Sequence, residues 1–252
     1  MRLLTPEWHA VLPSTNEWLC ARLRRGDPVP PGTVVVARQQ TAGRGRRGRV
    51  WLAAPGEDLT FSVAVRAPAT PQQALAAPMA AALGVAAAVE AMCGLAPRVK
   101  WPNDVLLSGR KLGGILGEHA GDMLVVGIGL NVNMDAETAA GIGRPAVSLS
   151  MATGRRYALE EVLAGVLDRL GGWLTRWEEG GFPAIRSEWV RRCAGLGEPA
   201  AVQDGARRLS GRLVGFGAWG QALLARPDGT VAEAWAGEIE ADGGHSRRSS
   251  AR

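Results

Sequence analysis

Residues 105 to 132 carry three strand signals that follow one another almost without interruption. Apolar, largely β-branched runs cover residues 105–107, 112–118 and 123–132, and turn-forming Ser, Gly and Asp residues separate them. Connections this short join antiparallel strands, because a parallel pair requires a long crossover. The segment therefore predicts an antiparallel meander, which restricts the chain to folds built around an antiparallel or mixed sheet.

Helical patterns occur on both sides of this meander along the chain. Ser14 to Glu17 matches the S-x-x-E capping box that precedes a helix. Helices are predicted over residues 14–25, 72–93, 157–177 and 185–193, and two further strands over 33–37 and 59–65. We therefore predict an α+β protein with a mixed or antiparallel sheet flanked by helices.

The character of the sequence changes near Leu196. Short alternating stretches at residues 201–202, 212–216, 222–225 and 231–235 are separated by Gly and Asp turns. This pattern is typical of a small SH3-like β-barrel. We expect a main domain over residues 1–195, an SH3-like domain over 196–240 and a disordered Gly/Ser/Arg-rich tail over 241–252.

Cysteine usage and hydropathy indicate the compartment. Cys20, Cys93 and Cys193 lie far apart without a CxxC pair, so neither a zinc cluster nor a disulfide framework is expected. The longest apolar stretch, residues 74–89, is interrupted by Pro78. We expect a cytoplasmic protein without a signal peptide or a membrane span.

A loop of arginine and glycine is predicted between two strands. The run from Gly43 to Arg49 contains four arginines, which cannot pack into a core. Their guanidinium groups and the accessible backbone amides suit an anionic ligand. The net charge of +5 also permits a nucleic-acid patch here, and a solvated loop without function is a further alternative.

The 29 basic residues include two lysines, Lys100 and Lys111. Where arginine fills nearly every basic position, a lysine suggests a need for a compact ammonium group on a flexible stem. Asp104 lies between the two lysines, and Gly113 and Gly114 follow, where a ligand could approach the backbone closely. Surface lysines beside a turn are the alternative.

The segment from Gly127 to Asn133 reads GIGLNVN. It matches a dinucleotide-binding fingerprint only in part, because no helix follows and the third glycine is missing. We expect Asn131 to present its amide to a polar ligand, with a turn-forming asparagine as the alternative.

Five motifs thus follow one another along the chain, at residues 14–16, 40–51, 100–104, 111–116 and 127–133. In this order they resemble the motifs of the biotin protein ligase family, and the C-terminal module extends the likeness to about Glu240. The resemblance implies a class II synthetase-like catalytic domain followed by an SH3-like β-barrel.

The resemblance also implies a reaction. Such enzymes join biotin to ATP, giving biotinyl-5'-AMP and pyrophosphate, and pass the biotinyl group to one lysine of a biotin carboxyl carrier protein or domain of a carboxylase such as acetyl-CoA carboxylase. Mg²⁺ would neutralise the triphosphate. We expect neither DNA nor a membrane as a partner, and the resemblance leaves a monomer and a homodimer open.

Roles for individual residues follow from the same resemblance. The expected catalytic residues are Lys111, Arg44 and Asp104. Lys111 would bridge the biotin carboxylate and the α-phosphate. Asp104 would orient or deprotonate the carrier lysine, with a purely structural role in a turn as the alternative. The expected biotin-binding residues are Ser14, Thr15, Asn16, Gln40, Arg44, Gly45, Arg46, Lys111, Gly113 and Gly114. The expected ATP-binding residues are Gly43, Arg44, Trp51, Lys100, Asn103, Lys111 and Asn131. Trp51 is expected to cover biotin, to stack on adenine or to pack in the core.

Three other functions were weighed against this one. Some family members carry an N-terminal winged helix-turn-helix domain, and the thirteen residues before Ser14 cannot form one, so we expect no repressor role. A lipoate ligase or octanoyltransferase would share the fold, although none of the cysteines lies in a motif that could supply a nucleophile. A nucleic-acid-binding module built on the arginine loop belongs to a different class.

Overall fold

The computed structural model describes residues 1–241, so most of the predicted tail, residues 242–252, lies outside the described part. The chain forms two compact units. The first contains Met1–Ala194 together with Ala218–Gly220, and the second contains Gly195–Gly217 and the described residues from Gln221 onward.

A seven-stranded mixed sheet forms the centre of the first unit. Its strands are β1 (Glu7–Leu12), β2 (Val34–Gln40), β3 (Leu59–Arg66), β4 (Arg98–Lys100), β5 (Asp104–Leu107), β6 (Arg110–Ala120) and β7 (Met123–Leu130). Their order is β1-β2-β3-β7-β6-β5-β4. The predicted meander is confirmed, because β5, β6 and β7 pair antiparallel with their sequence neighbours.

The sequence analysis predicted no strand before Ser14, yet β1 lies there and pairs parallel with β2. The helix α1 (Thr15–Arg24) lies between them in sequence and provides the crossover that a parallel pair requires. β1 is short and half exposed at the edge of the sheet, so it lacks the apolar run that reveals a buried strand.

Helices cover both faces of the sheet. Residues Leu19 and Cys20 of α1 pack against Val35, Ala64 and Val125 on one face. The remaining helices are α2 (Pro71–Ala74), α3 (Ala77–Cys93), α4 (Ala136–Gly141), α5 (Leu149–Thr153), α6 (Leu159–Gly180) and α7 (Arg186–Arg192). α3 and α6 pack against each other and against the sheet. The long α3 and α6 were predicted, whereas α4 and α5 were not.

Within the described residues, one helical stretch is long and apolar enough to cross a membrane by composition alone, namely Pro71–Cys93. Of its apolar 18-residue window, 67% is buried inside the protein. Gly84 at its middle allows the backbone of Leu170 to approach closely, since a Cβ there would lie 2.9 Å from the Leu170 Cα. This stretch therefore behaves as a core helix, and its apolar surface is matched by α6.

The second unit is a five-stranded antiparallel sheet. Its strands are β8 (Pro199–Asp204), β9 (Arg207–Phe216), β10 (Ala222–Ala225), β11 (Val231–Ala234) and β12 (Ile239–Ala241), in the order β11-β10-β9-β8-β12. The all-β prediction is confirmed, but β11 and β12 do not pair within the described residues, so the expected closed barrel is not found. Closure requires the two edge strands to meet, and here both are very short.

Candidate active site

The first part of the site forms where α1 begins on the sheet. Thr15 donates from its backbone N–H to Gln40 Oε1 at 2.8 Å, and its hydroxyl lies 3.2 Å from the same oxygen. Gln40 is the last residue of β2, and Ser14, Thr15 and Asn16 are all buried. The first two motifs of the sequence therefore meet in space and form a polar cluster at the start of α1.

Among residues 1–241, two polar groups of this cluster have no protein partner. Ser14 occupies the N-cap position in an extended conformation, but its hydroxyl makes no cap hydrogen bond, so the predicted capping box is not formed. Neither this hydroxyl nor the Gln40 Nε2 amide donates a hydrogen bond within the described residues. Ser14 is buried and Gln40 is half-buried, so both groups are suited to a polar ligand that would complete their hydrogen bonding.

Asn16 makes all its hydrogen bonds to the protein. Its Nδ2 donates to Glu118 Oε2 at 2.8 Å and to the Leu116 carbonyl at 3.3 Å, and its Oδ1 lies 2.6 Å from the Ser62 hydroxyl. The same hydroxyl lies 2.7 Å from Thr15 Oγ1. The structure thus brings Asn16 to the predicted site but engages its amide with the sheet, and it adds Ser62, which sequence reasoning missed.

Beside this cluster, glycines in β6 and β7 leave the sheet without side chains, so that other side chains can lie directly on its backbone. A Cβ on Gly127 would overlap the Asn16 amide, and one on Gly129 would overlap the Trp51 indole. A Cβ on Gly114 would lie 3.2 Å from the same indole. Trp51 therefore lies flat on the backbone of β6 and β7, and its buried Nε1 has no hydrogen-bond partner among residues 1–241.

A buried ion pair lies next to Trp51. Lys111 Nζ is 2.5 Å from Asp104 Oδ1, and the two side chains are 13% and 8% exposed. The ammonium group is also 5.8 Å from the centre of the Trp51 ring. Gly114 is needed here as well, because a Cβ would lie 3.0 Å from Lys111 Nζ. The structure thus brings together Lys111, Asp104 and Gly114, three residues that the sequence analysis assigned to the site.

The arginine loop folds back on itself. Gly45 N–H donates to the Arg49 carbonyl at 2.7 Å, and a 3-10 turn over Arg46–Gly48 contains Arg47 with a positive φ of 59°. Arg44 pairs with Glu17 and Glu118 at 3.1 Å and 3.0 Å, which directs its guanidinium toward α1 and β6.

Of the other predicted residues, Asn103 and Asn131 mainly tie backbone segments together. Asn103 Oδ1 accepts from Arg46 at 3.1 Å and its Nδ2 donates to the Ile115 carbonyl at 2.7 Å. Asn131 Nδ2 donates to the carbonyls of Lys111 and Val147. Lys100 lies opposite Asp104 in the strand register, but its ammonium makes no polar contact within residues 1–241.

A carboxylate that sequence reasoning missed fixes the end of β7. Asp58 is buried and accepts hydrogen bonds from the backbone N–H of Val132 at 2.9 Å and of Ala54 at 3.2 Å. Burial raises the pKa of this carboxyl above its ordinary value, although these hydrogen bonds lower it. Asp58 thus holds the segment after Trp51 against the GIGLNVN motif.

A cavity of about 360 Å³ opens beside Trp51 and Lys111. Its walls are Arg49, Val50, Trp51, Leu52, Lys111, Asn131, Ile142, Gly143, Arg144 and Ala146. Arg144 is half-buried and makes no ion pair within the described residues. A cavity lined by Trp51 and by the cationic residues Arg49, Lys111 and Arg144 suits a ligand with an aromatic ring and phosphate groups.

Comparison with known proteins decides the family. A model of the biotin/lipoate A/B protein ligase family matches residues 8–135. The chain belongs to this family.

The family contains close relatives. A biotin–[acetyl-CoA-carboxylase] ligase of Paracoccus denitrificans is 35% identical over 204 residues, which cover 77% of this chain and 85% of the relative. The bifunctional ligase/repressor BirA of Escherichia coli is 30% identical over 238 residues, or 91% of this chain and 73% of the relative. The biotin protein ligase of Aquifex aeolicus, solved with biotin and ATP, matches with a TM-score of 0.79 and 33% identity over 94% of this chain and 97% of its own.

The family match covers every residue that the sequence analysis assigned to the site. The cavity wall formed by Ile142, Gly143, Arg144 and Ala146 follows the matched segment. No sequence signal pointed to Arg144, because its role depends on how α4 and the following turn lie against Lys111.

Proposed function

We propose that this protein is an ATP-dependent biotin ligase. It forms biotinyl-5'-AMP and pyrophosphate from biotin and ATP, and then transfers the biotinyl group to a lysine of a biotin carboxyl carrier. The observation that carries the proposal is the arrangement of three features on one sheet: the polar cluster at the buried Ser14 and the half-buried Gln40, the glycines of β6 and β7, and the Lys111 ammonium group.

The polar pocket favours biotin over lipoate and octanoate. The ureido ring of biotin is neutral and offers both donors and acceptors, which match the Ser14 hydroxyl and the Gln40 amide. A dithiolane or an alkyl chain would displace water from the Ser14 hydroxyl and the Gln40 amide without replacing its hydrogen bonds, and such a mismatch is strongly rejected. A pocket for an apolar head group would not contain this cluster.

Lys111 serves the first step in this proposal. The biotin carboxylate attacks the α-phosphorus of ATP, so that a carboxyl–phosphate bond forms and the bond to pyrophosphate breaks. Two anionic groups must approach each other, and a buried ammonium that contacts both lowers their repulsion and stabilises the charge of the transition state. Asp104 holds this ammonium in place.

In the second step the neutral amine of the carrier lysine attacks the acyl carbon and AMP leaves. The amine loses a proton in this step. We propose that the carboxylate of Asp104 orients the amine for its attack. Because Asp104 already pairs with Lys111 at 2.5 Å, we assign it primarily to positioning and not to proton transfer.

The cavity beside Trp51 is the proposed nucleotide site. Trp51 and Leu52 would contact adenine, and Lys111, Arg49 and Arg144 would face the phosphates. Magnesium is proposed only as the counter-ion of ATP. No group of three or more His, Cys, Asp or Glu side chains within residues 1–241 could hold a metal ion, so the triphosphate and water would supply its ligands.

A cysteine-dependent acyl transfer does not fit Cys20 or Cys193. Burial raises the pKa of Cys20 to about 11 and that of Cys193 to about 12, which keeps both protonated. Cys93 does not line the cavity beside Trp51 and Lys111. The three cysteines are free, which suits the proposed cytoplasmic location.

We propose residues 1–195 as the catalytic domain and 196–240 as an SH3-like domain.

Pyrophosphate release tests the proposal. The protein should release pyrophosphate with ATP and biotin together, and not with ATP alone or with lipoate or octanoate in place of biotin. Equal turnover with lipoate would contradict the assignment to biotin. Salt-sensitive binding of random oligonucleotides without any response to biotin would instead support the nucleic-acid module.

A further inference from the structure

A continuous chain of polar contacts runs from the arginine loop to the proposed ureido pocket. It begins at Arg44, passes through Glu118 and Asn16 to Ser62, and ends at Thr15 and Gln40. Each step joins different parts of the fold, because Arg44 lies in the loop, Glu118 in β6, Asn16 in α1 and Ser62 in β3.

Glu118 is the joint between the loop and the pocket. One carboxylate oxygen, Oε2, accepts from Asn16 Nδ2 at 2.8 Å, and the other, Oε1, lies 3.0 Å from Arg44 Nη2. A single side chain thus fixes both a residue at the start of α1 and the first arginine of the loop. Its side chain is 22% exposed, so solvent screens these contacts only in part.

Asn16 has little freedom to compensate for a change at Glu118. Its amide lies on the backbone of Gly127, where a Cβ would overlap it, and its Oδ1 is 2.6 Å from the buried Ser62 hydroxyl. If its Nδ2 loses the carboxylate, only the longer contact to the Leu116 carbonyl at 3.3 Å remains. The Asn16 amide would then shift. Thr15 would shift with it, because Thr15 precedes Asn16 in the chain and both residues contact the Ser62 hydroxyl.

We propose that Glu118 is a positioning residue that couples the seating of the arginine loop to the geometry of the ureido pocket. This inference rests on the proposed function and deepens it. Glu118 does not touch the ligand. It holds Asn16, and through Ser62 it holds Thr15, while it secures the loop through Arg44.

Loss of Glu118 should affect biotin more than ATP. The contacts of Glu118 lead to Thr15 and Gln40 in the ureido pocket, whereas Arg49 is the one member of the arginine loop from Gly43 to Arg49 that lines the nucleotide cavity. We therefore expect weaker biotin binding and a smaller rise in the KM for ATP. A merely structural residue would instead lower the stability of the protein and affect both substrates alike.

Biotin titration of the full chain, followed by steady-state kinetics, tests this. Glu118→Gln keeps an acceptor for Asn16 but loses the charge that holds Arg44, and Glu118→Ala loses both. We expect the Kd for biotin to rise about threefold in the first variant and about thirtyfold in the second. Glu160→Gln is the control, since Glu160 also pairs with an arginine but its side chain lies on the solvent-exposed face of α6.

A double-mutant cycle with Arg44→Ala adds a readout that a stability loss would not give. If Glu118 and Arg44 act as one unit, the effects of the two alanine variants on the Kd for biotin are not additive. Additive effects, an unchanged Kd in both Glu118 variants, or equal changes in the KM for biotin and for ATP would each overturn the inference. Failure of the unmodified protein to bind biotin would overturn the proposed function as well, so the two failures are distinguishable.

Discussion

Lys111 and Asp104 form an ion pair of 2.5 Å that is nearly shielded from water. The strand register brings them together, because β5 and β6 are antiparallel neighbours and a bulge lies between Val105 and Leu106. Taking two charges out of water is costly, and proteins retain such pairs where a charge is needed at a defined point. Because the pair lies beside the cavity proposed for the nucleotide, we propose that the charge is kept there to stabilise an anionic transition state.

Replacing Lys111 by arginine should abolish most adenylate formation while the protein stays folded. The planar guanidinium keeps the charge but cannot place it as a single point between a carboxylate and a phosphate. We expect the rate of biotin-dependent pyrophosphate release to fall by a factor of about 100 or more. Lys100→Arg is the control and should retain most of the activity. A Lys111→Arg enzyme of nearly normal rate would make Lys111 a bystander.

Arg144 should contribute to ATP binding. It lines the cavity beside Lys111 and has no carboxylate partner within the described residues, so Arg144→Ala removes a cation that faces the phosphates. We expect the KM for ATP to rise about tenfold, with the Kd for biotin unchanged. Arg176, which stacks on Trp173 elsewhere in the first unit, provides the control Arg176→Ala. Equal kinetics in both variants would remove Arg144 from the site.

Stability should fall in acid partly because of Glu188. Hydrogen bonds from Arg191, and then from Arg192, lower the pKa of its carboxyl from 4.5 to about 2. A lowered pKa stabilises the fold above the unfolded value, and this contribution is lost as the pH falls from about 4.5 to about 2. Glu188→Gln should cost about 2 kcal/mol at pH 7 and much less at pH 2.

Urea unfolding at the two pH values measures this difference. Glu179→Gln, at an exposed position near the end of α6, is the matched control and should change stability little at either pH. If Glu188→Gln destabilised the protein equally at both pH values, the lost contribution would be packing and not ionisation.

The arginine loop should be protected by ligand against trypsin. Four arginines within six residues offer cleavage sites, and three glycines make the loop costly to order without a ligand. We expect limited digestion to cut the free protein between Arg44 and Arg49, giving fragments of about one-fifth and four-fifths of the chain, and biotin with ATP to slow the cut. A cleavage rate that biotin and ATP leave unchanged would mean that the loop does not close over the ligand.

Many residues of the candidate site could be named from the sequence because they lie in short motifs whose chemistry is local. The scarcity of lysine singled out Lys111. The paired glycines were expected to let a ligand approach the backbone, and in the structure the side chains of Trp51 and Lys111 lie against Gly114. The same local reasoning placed Arg44 among the catalytic residues. The structure pairs its side chain with two carboxylates, which no motif reveals.

The residues that were missed depend on contacts between distant elements. Ser62 lies in a strand whose alternation predicts one solvent-facing side, but helices cover both faces, so its hydroxyl is buried against α1. Glu118 lies at the end of a strand and looks like an ordinary surface carboxylate until α1 and the arginine loop pack beside it. Arg144 follows a short helix that has no strong periodicity. The hydrophobic periodicity of a segment predicts which of its faces is buried. It does not predict which distant element packs against that face.

Intact-mass spectrometry of a biotin carrier domain shows whether this protein transfers biotin to one lysine of such a domain. With protein, biotin and ATP, we expect the carrier to gain the mass of one biotinyl group. We expect no gain when ATP is omitted, when lipoate replaces biotin, or when the target lysine of the carrier is changed to arginine. The proposed function would be wrong if the carrier stayed unmodified in the presence of protein, biotin and ATP, or if it gained a lipoyl group as readily as a biotinyl group.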